Sequence, residues 1–411
     1  MTNGDASFVS KPVPRPALSG RLSLRRNPKI SAIFRYSRPG TLFIVETNGS
    51  DEQNGPQKRH SSIGRLLGNA LEDRMKTTLL RRGGGFSSTR ETAPAMWLVE
   101  ALWYVLATGI QTNNRFSLLE QMMGGGLGPP SHRHPLNIEN FYVLEGQLTF
   151  HVQGREIPAG PGSFVHIPRM APHTFTVDSE ETRVLNFYVP AGPELHIVSL
   201  ARPADERRRP MMEEGPPPAN LIENEILSRI YGSNSVAGLP FSVPPSPDRL
   251  GSQNDVWTIG KVYWTDPVRC PSYSAFGIQW RELASSRHTE YTYDMFDALL
   301  SPQARMPARL LGADEALYVI EGCIVISLDG DTFQLTTGGF VYAPAGSLCG
   351  WIPEGGPART LVFHVPGGFD RALSESGGDE ALVAAWQEAS GTRFLEALPL
   401  PDASVPRERS T

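Results

Sequence analysis

Hydrophobic residues come in short runs from about Met96 onward, and glycine or proline separates one run from the next. The runs NFYVLEGQLTFHVQG, GSFVHIP and TRVLNFYVP are either apolar throughout or alternate apolar with polar positions, which is typical of β-strands. Helical spacing of apolar residues occurs only in NLIENEILSRIYG and, near the C-terminus, in DEALVAAWQEA. The pattern predicts an all-β architecture with one short helix in mid-chain and one near the end.

The strand pattern is duplicated along the chain. Residues 139–173 align without a gap with residues 315–349, so that Glu139 matches Glu315 and His173 matches Cys349. Self-similarity on this scale is the signature of a repeated structural unit. We therefore predict two β domains of the same kind.

The boundaries of the pattern predict five segments. Residues 1–95 lack sustained periodicity, and a stretch rich in proline and charge begins at residue 201. From these changes we expect a poorly structured extension (1–95), a first domain (96–200), a linker with a short helix (201–240), a second domain (241–370), and a C-terminal helix and tail (371–411).

Charge is distributed unevenly within the overall net charge of −5. Residues 1–90 carry 16 Lys and Arg against 6 Asp and Glu, whereas the remainder carries 22 against 37. The basic segment lacks interleaved aromatic residues and any motif that reads nucleic acid, so a solvated extension is expected and nucleic-acid binding is not.

The cysteines and the N-terminus bear on the cellular compartment. The three cysteines are scattered and none forms a CxxC pair, which favours a reducing compartment over a disulfide framework. We find no secretory signal and no apolar run of the roughly 18 residues that a membrane span needs. Residues 1–40 are rich in Arg and Ser and weakly resemble a transit peptide. The expected location is the cytoplasm, with organellar targeting left open.

Four residues have the character of metal ligands. His132 and His134 are one residue apart, so on a strand their side chains point to the same face. Glu139 follows five residues later, and His173 comes from a later strand. Three imidazoles and a carboxylate suit one divalent transition metal ion, namely Fe, Cu, Mn, Ni, Co or Zn, with one or two positions left for other ligands.

The spacing of these residues resembles the two motifs of the cupin superfamily. Every fixed position of the first motif is filled, by Gly126, His132, His134, Glu139 and Gly146. In the second motif Gly162, Pro168 and His173 match, whereas Met170 and Val177 stand where the family has Gly and Asn. The resemblance implies two jelly-roll cupin domains, a bicupin, over about residues 96–370. Within the superfamily, the chain is most similar to the quercetin 2,3-dioxygenases and related bicupins.

The second domain lacks the histidines. Counting back from Glu315, Ala308 and Leu310 stand at the positions of His132 and His134, and Cys349 replaces the last histidine. With one carboxylate and one thiol remaining, we expect a scaffold domain with a degenerate site and no metal. Cys349 is then a small buried apolar residue.

Other residues near the motifs have two interpretations. Phe141 and Val143 alternate with Glu139, and Phe175 alternates with His173, so these three would line the ligand-bearing face. They are candidates for an apolar substrate pocket and equally for ordinary core. His151 and His166 match no ligand position and are predicted to be structural.

The resemblance implies oxygen-dependent oxidation of a small aromatic or enolic molecule, similar to flavonol 2,3-dioxygenation. In that interpretation Glu139 is both a ligand and the catalytic base. A metal-dependent isomerase, cyclase or decarboxylase is the first alternative, and a regulatory ligand-binding cupin without catalysis is the second. The expected partners are the aromatic substrate and dioxygen, without a membrane, and a homodimer stays open.

Overall fold

The computed structural model describes residues 33–36, 42–45, 84–98, 100–210, 230–231, 234–235, 262–266, 268–376 and 379–395. The chain divides into two compact units, Met1–Ile63 and Gly64–Thr411. In the first unit, β1 (Ile33–Tyr36) and β2 (Leu42–Val45) form an antiparallel hairpin. The predicted linker helix lies outside the described residues except for residues 230–231, and most of the predicted extension also lies outside them.

The second unit is built almost entirely of strands. Those of its first half and the linker are β3 (Phe86–Ser88), β4 (Ala95–Leu98), β5 (Ala101–Ala107), β6 (Ser117–Gly124), β7 (His132–Arg133), β8 (Ile138–Glu145), β9 (Leu148–Val152), β10 (Arg155–Ala159), β11 (Phe164–Ile167), β12 (His173–Val177), β13 (Glu181–Val189), β14 (Arg202–Pro203) and β15 (Asn234–Ser235). Those of its second half are β16 (Tyr263–Thr265), β17 (Ser272–Ala275), β18 (Ile278–Ala284), β19 (Asp294–Leu300), β20 (Met306–Leu310), β21 (Asp314–Glu321), β22 (Cys323–Leu328), β23 (Asp331–Thr336), β24 (Phe340–Ala343), β25 (Leu348–Pro353), β26 (Ala358–Val365) and β27 (Arg393–Phe394). The described helices are α1 (Pro193–Leu200), α2 (Phe369–Glu375) and α3 (Asp379–Ser390).

Each half packs two antiparallel sheets face to face. The first half pairs an eight-stranded sheet (β14-β4-β5-β6-β13-β8-β11-β16) with a five-stranded sheet (β10-β9-β12-β7-β15). The second half pairs a seven-stranded sheet (β17-β18-β19-β26-β21-β24-β3) with a five-stranded sheet (β23-β22-β25-β20-β27). The predicted fold class, two jelly-roll cupin domains with short helices, is therefore confirmed.

The larger sheets are buried on both faces. Strand β8 shows the reason, because its first six residues are all buried although they alternate in direction. Phe141 and Val143 belong to the core of the first half, whereas Tyr142 packs in a separate cluster with Phe363 and Tyr318 of the second half. Continuous burial thus reflects one core inside each half and a third core between the halves.

The two halves exchange edge strands. Strand β16 is the first strand of the second half in the chain but pairs with β11 of the first half, placing Thr265 opposite Phe164. Strand β3 is the first strand of the first half in the chain but pairs with β24 of the second, placing Ser88 opposite Phe340. Each half therefore completes the larger sheet of the other.

This exchange revises the prediction that residues 1–95 form a poorly structured extension. Residues 84–95, which we placed in the poorly structured segment, include β3 and the start of β4. Arg90 donates a hydrogen bond from Nε to Oε2 of buried Glu120 (2.9 Å) and another from Nη2 to the hydroxyl of Tyr318 (3.1 Å). The pairing partner of β3 is more than 200 residues away, so local periodicity could not reveal it. Among the described residues, no helix is long and apolar enough to cross a membrane.

Two motif positions show how backbone geometry constrains the sequence. Gly146 has φ +80°, and a Cβ there would lie 2.4 Å from the carbonyl oxygen of Glu181. Glycine is therefore required on both conformational and steric grounds. Met170 replaces the family's second glycine and still adopts φ +67°, with its side chain 49% exposed.

Candidate metal centre

The four predicted ligands converge at the mouth of the first jelly roll. His132 lies on β7, Glu139 lies on β8 and His173 begins β12. The ligand atoms of these three residues and His134 all lie within 4.8 Å of one another. Strand pairing produces the convergence, because His173 lies directly opposite His132 in the register of β12 with β7.

The imidazoles are oriented by backbone carbonyls. Nδ1 of His132 donates to the carbonyl oxygen of Pro130 (2.9 Å), and Nδ1 of His173 donates to that of Ala171 (2.8 Å). With Nδ1 engaged by a carbonyl, Nε2 is the atom of each ring that faces the cluster and could bind a metal.

All three Nε2 atoms face one carboxylate oxygen. Oε2 of Glu139 lies 2.6 Å from Nε2 of His173, 3.1 Å from that of His134 and 3.9 Å from that of His132. The other oxygen, Oε1, accepts a hydrogen bond from Nδ2 of Asn186 (2.9 Å). This oriented set of three nitrogens and one oxygen fits a divalent transition metal ion.

Burial and mutual charge favour the metal-binding protonation states. Burial lowers the pKa of His132 to about 3, with smaller contributions from His173 and His134. For Glu139, burial alone would raise the pKa, but the charges and hydrogen bonds of His134 and His173 outweigh it, and the pKa falls well below its usual range. A neutral His132 and an ionised Glu139 are the forms that coordinate metal.

His132 is the most exposed of the four clustered side chains. Its side chain is 17% exposed, whereas those of His134, Glu139 and His173 are 1–3% exposed. Two exposed apolar side chains lie nearby in sequence, Leu136 (69%) and Met170 (49%).

The three predicted pocket residues lie in the packed core of the first half. Phe141, Val143 and Phe175 are all nearly inaccessible to solvent. The ring of Phe175 lies 5.5 Å from that of Phe141, and the ring of Phe150 fills the space beside both. This packing favours the core interpretation, and a role in substrate binding stays a prediction.

Two further residues complete the surroundings of the cluster and were missed in the sequence. Asn186 holds Oε1 of Glu139, and Tyr188 lies with its ring centroid 5.5 Å from that of His134. Burial, the charge of Glu139 and a hydrogen bond with it raise the pKa of Tyr188. The available signal was a lone amide within the apolar run of β13.

The other two histidines lie away from the cluster. His151 forms an ion pair of 3.7 Å with Glu156 on the neighbouring strand. His166 is buried, and its Nδ1 lies 3.0 Å from Oδ1 of Asn140 and 2.8 Å from the hydroxyl of Tyr293.

The centre of the second half is built differently from the sequence expectation. The register places Arg309 opposite Cys349, just as His132 lies opposite His173. Counting back from Glu315 pointed to Ala308 and Leu310, and this assignment was wrong by one residue. An irregularity of β20 between Met306 and Arg309 shifts the register.

Arg309 supplies a buried positive charge to Glu315. Its guanidinium donates to Oε2 of Glu315, and both side chains are fully buried. Trp351 donates from Nε1 to Oε1 of Glu315 (3.0 Å), and Nε2 of His364 lies 3.3 Å from Oε2. Cys349 is buried with its sulfur 4.0 Å from Oε1, and burial raises the pKa of its thiol.

The charges of this second centre compensate one another. For Glu315, burial favours the neutral acid, but Arg309 and His364 outweigh it and lower the pKa to about 2. For His364, burial opposes protonation, but Asp294 and Glu315 raise the pKa to about 9. Arg309 and His364 thus provide the positive charge beside Glu315, whereas three imidazole nitrogens face Glu139 in the first half.

Comparison with known proteins finds similarity to cupin proteins. The family described as "Cupin domain" matches residues 118–188. The quercetin 2,3-dioxygenase of Bacillus subtilis (strain 168) is 22% identical over 274 residues, covering 65% of this chain and 78% of the relative. That of Aspergillus japonicus is 24% identical over 332 residues, covering 74% and 92%. The oxalate decarboxylase structure from Bacillus subtilis at pH 4.6 aligns with a TM-score of 0.46 and 13% identity, covering 79% of this chain and 86% of that one.

Residues 118–188 match the cupin domain, and the chain has two jelly-roll halves with a His/Glu cluster in the first. It resembles the quercetin 2,3-dioxygenases. The similarity and the cluster together support a metal-dependent cupin enzyme.

Proposed function

We propose that this protein is a metal-dependent dioxygenase of a small aromatic or enolic molecule, similar to a flavonol 2,3-dioxygenase. The observation that carries the proposal is the convergence of three imidazole Nε2 atoms on Oε2 of Glu139 in a chain that resembles two quercetin 2,3-dioxygenases. The proposed ligands are His132, His134, Glu139 and His173, and the proposed catalytic domain is 96–200.

In this proposal Glu139 is both ligand and base. A divalent transition metal ion supplies a Lewis acid that lowers the pKa of a substrate hydroxyl. Glu139 accepts the hydroxyl proton on Oε2, the oxygen that faces the imidazoles, while Asn186 holds Oε1 and limits rotation of the carboxylate. The deprotonated substrate is then the electron donor to dioxygen.

The surroundings of the centre suit an apolar, flat substrate. Leu136 and Met170 present apolar side chains to solvent, and both lie close to proposed ligands in the sequence. In this proposal Phe141 and Phe175, which lie in the buried apolar core of the first half, help to keep water from Glu139. Val143 lies one step deeper along β8.

The proposed scaffold role of the second half rests on its charges. Arg309 and His364 already neutralise Glu315, so a metal ion there would meet a buried guanidinium. We therefore expect one metal equivalent per chain, in the first half.

The test combines elemental analysis of the purified protein with oxygen uptake over a panel of flavonols. We expect one transition metal ion per chain and flavonol-dependent oxygen consumption that Glu139→Gln abolishes. Oxygen uptake with other enolic substrates alone would keep the reaction class and reject flavonols. Turnover without oxygen consumption would indicate the isomerase, cyclase or decarboxylase alternative, and a metal-free protein would contradict the proposal.

A further inference from the structure

A tyrosine of the second half reaches the strand that carries Glu139. Tyr293 directly precedes β19, and its hydroxyl donates a hydrogen bond to Oδ1 of Asn140 (2.7 Å). Asn140 follows Glu139 on β8, and because side chains alternate along a strand, its amide lies on the face away from the cluster. Tyr293 and Asn140 are both fully buried.

His166 completes a three-residue hydrogen-bonded group. It lies opposite Asn140 in the pairing of β11 with β8, and its Nδ1 lies 2.8 Å from the Tyr293 hydroxyl. Since the hydroxyl hydrogen points to Asn140, Nδ1 of His166 carries a hydrogen and donates to the tyrosine oxygen. Burial lowers the pKa of His166 to about 3, so the group is neutral and its hydrogen bonds have one consistent direction.

The group is connected to the carboxylate of Glu139 through β13. Nδ2 of Asn140 donates to the carbonyl oxygen of Phe187 (3.4 Å). Nδ2 of Asn186 donates to Oε1 of Glu139 (2.9 Å) and lies 3.5 Å from the carbonyl oxygen of Asn140. A shift of Asn140 would therefore move β8, which carries Glu139, and would also affect the amide of Asn186, which holds Oε1 of Glu139.

We propose that Tyr293 is a positioning residue through which the second half sets the orientation of Glu139 in the metal centre of the first. The inference rests on the proposed function in so far as the cluster binds a metal ion. It gives the second half a specific role besides general support. Without the hydroxyl, Oδ1 of Asn140 loses its tyrosine donor and is left with His166, so the second half no longer bonds to the residue that follows Glu139.

The experiment compares Tyr293→Phe with Tyr342→Phe in the full chain. Tyr342 is a matched control, because it is a buried tyrosine of the second half whose hydroxyl donates to Asp314 (2.9 Å) and not to β8. The measurements are the Kd for Mn²⁺ alone and the electron paramagnetic resonance spectrum of the Mn²⁺-loaded protein. The kcat and KM with the substrate found active are measured as well.

For Tyr293→Phe we expect a Kd about tenfold higher, because outer partners of metal ligands commonly contribute about that much. We also expect an altered spectrum and a lower kcat with little change in KM, whereas Tyr342→Phe retains wild-type values. If Tyr293→Phe does not fold, the double variant Tyr293→Phe/Asn140→Leu removes both partners of the bond and is measured in the same way.

Three outcomes would overturn the inference. Wild-type Kd and spectrum in a folded Tyr293→Phe protein would show that Tyr293 does not position Glu139. Equal losses of Mn²⁺ affinity and kcat in Tyr293→Phe and Tyr342→Phe would show that the effect reflects general stability and not the position of Glu139. A wild-type protein that contains no transition metal by elemental analysis and also fails to bind Mn²⁺ would instead remove the proposed function, on which the inference rests.

Discussion

At the scale of single residues, the two halves differ in what faces their shared glutamate. Glu139 faces three imidazole nitrogens, whereas Glu315 faces the guanidinium of Arg309. A buried carboxylate is costly unless a positive charge and hydrogen bonds compensate it. In our proposal a bound metal ion compensates the first glutamate, and Arg309 compensates the second.

Alanine substitution of a single proposed ligand should separate metal binding from folding. His132→Ala, His134→Ala or His173→Ala should remove most bound metal and all turnover, because each deletes one of four ligands. The fold should survive, since apolar packing between the sheets holds the jelly roll together. Glu139→Gln should retain more metal than activity if Glu139 is the base. Metal content and circular dichroism check this expectation.

His151→Ala is the matched control for these substitutions. It removes an imidazole that pairs with Glu156 outside the cluster, so metal content and turnover should be unchanged. Full metal content in two of the three cluster variants would contradict the proposed ligand set.

Removal of Arg309 should destabilise the protein without loss of metal. Arg309→Leu leaves Glu315 buried without its main counter-charge, and breaking a buried ion pair in this way commonly costs about 3–5 kcal/mol. Urea unfolding checks the value. Arg371→Leu removes an arginine that is paired at the surface with Glu375 and should cost much less than Arg309→Leu, because solvent screens the pair.

The double variant Arg309→Leu/Glu315→Leu distinguishes pairing from packing. Replacing both members of a buried ion pair by apolar residues is often close to neutral, so the double variant should recover much of the lost stability. A double variant as unstable as Arg309→Leu would point to lost packing against Trp386, whose ring lies 5.1 Å from the guanidinium carbon. Glu315→Gln alone is likewise expected to be destabilising, because Arg309 and His364 would remain charged and buried.

At the scale of elements, Asp294 connects β26 to helix α2. Oδ1 of Asp294 accepts a hydrogen bond from Nδ1 of His364 (2.7 Å), and Oδ2 accepts from the backbone amides of Gly368 (2.8 Å) and Phe369 (2.7 Å). These amides lie at the start of α2, where backbone donors lack partners within the helix. His364 on β26 holds one oxygen of Asp294, and the other oxygen of Asp294 holds the start of α2. The charge on His364 therefore stabilises both β26 and the start of α2 through Asp294.

Stability should fall as pH rises from neutral into the alkaline range. The pKa of His364 is about 9 in the folded protein, against about 6.5 for an unperturbed histidine. A raised pKa means that the stabilisation is fully present below about pH 6.5 and is lost as pH rises through about 9. We expect a loss of about 1–3 kcal/mol in unfolding free energy, since one pKa unit corresponds to about 1.4 kcal/mol.

His364→Gln should flatten this dependence, because it removes the titrating group and keeps a hydrogen-bond donor for Asp294. Chemical unfolding at a series of pH values between 6 and 9.5 gives the comparison. Equal slopes for the wild-type and His364→Gln proteins would show that His364 does not carry the effect.

At the scale of the whole molecule, strand exchange ties the two halves together. Strand β3 completes the sheet of the second half, and β16 completes that of the first. Arg90 and Tyr318 both donate to the carboxylate of Glu120. One buried carboxylate of the first half therefore binds a residue near the start of that half and a residue of the second half. Separating the halves would expose two sheet edges and the apolar core between them.

Truncation should show where the folded structure begins. Deletion of residues 1–83 should leave a folded, metal-binding protein, as we expect for an extension without periodic apolar residues. Deletion of residues 1–90 should lower the melting temperature, because it removes β3 and the Arg90 partner of Glu120. Calorimetry of both truncated proteins measures the difference, and equal melting temperatures would contradict the role of β3.

The sequence by itself determined the strands, the duplication and the four clustered residues. Strands could be predicted because alternation and turn residues are local features. The ligand motif could be predicted because His132 and Glu139 lie on two strands that are adjacent in the chain. Residues 315–349 aligned with 139–173 for the same reason.

The tertiary structure alone decided which distant residues meet. Asn186 reaches Glu139 from β13, and Tyr293 reaches Asn140 from the other half. The lone amide of Asn186 stands out in the sequence, but no local pattern identifies the partner of either residue. An irregularity in β20 shifted the register by one residue and brought Arg309 to Glu315, which counting along the chain could not anticipate. The pairing partners of the edge strands β3 and β16 could likewise not be predicted from the sequence. A strand's partner is selected by burial and pairing across the whole fold and not by its own few residues.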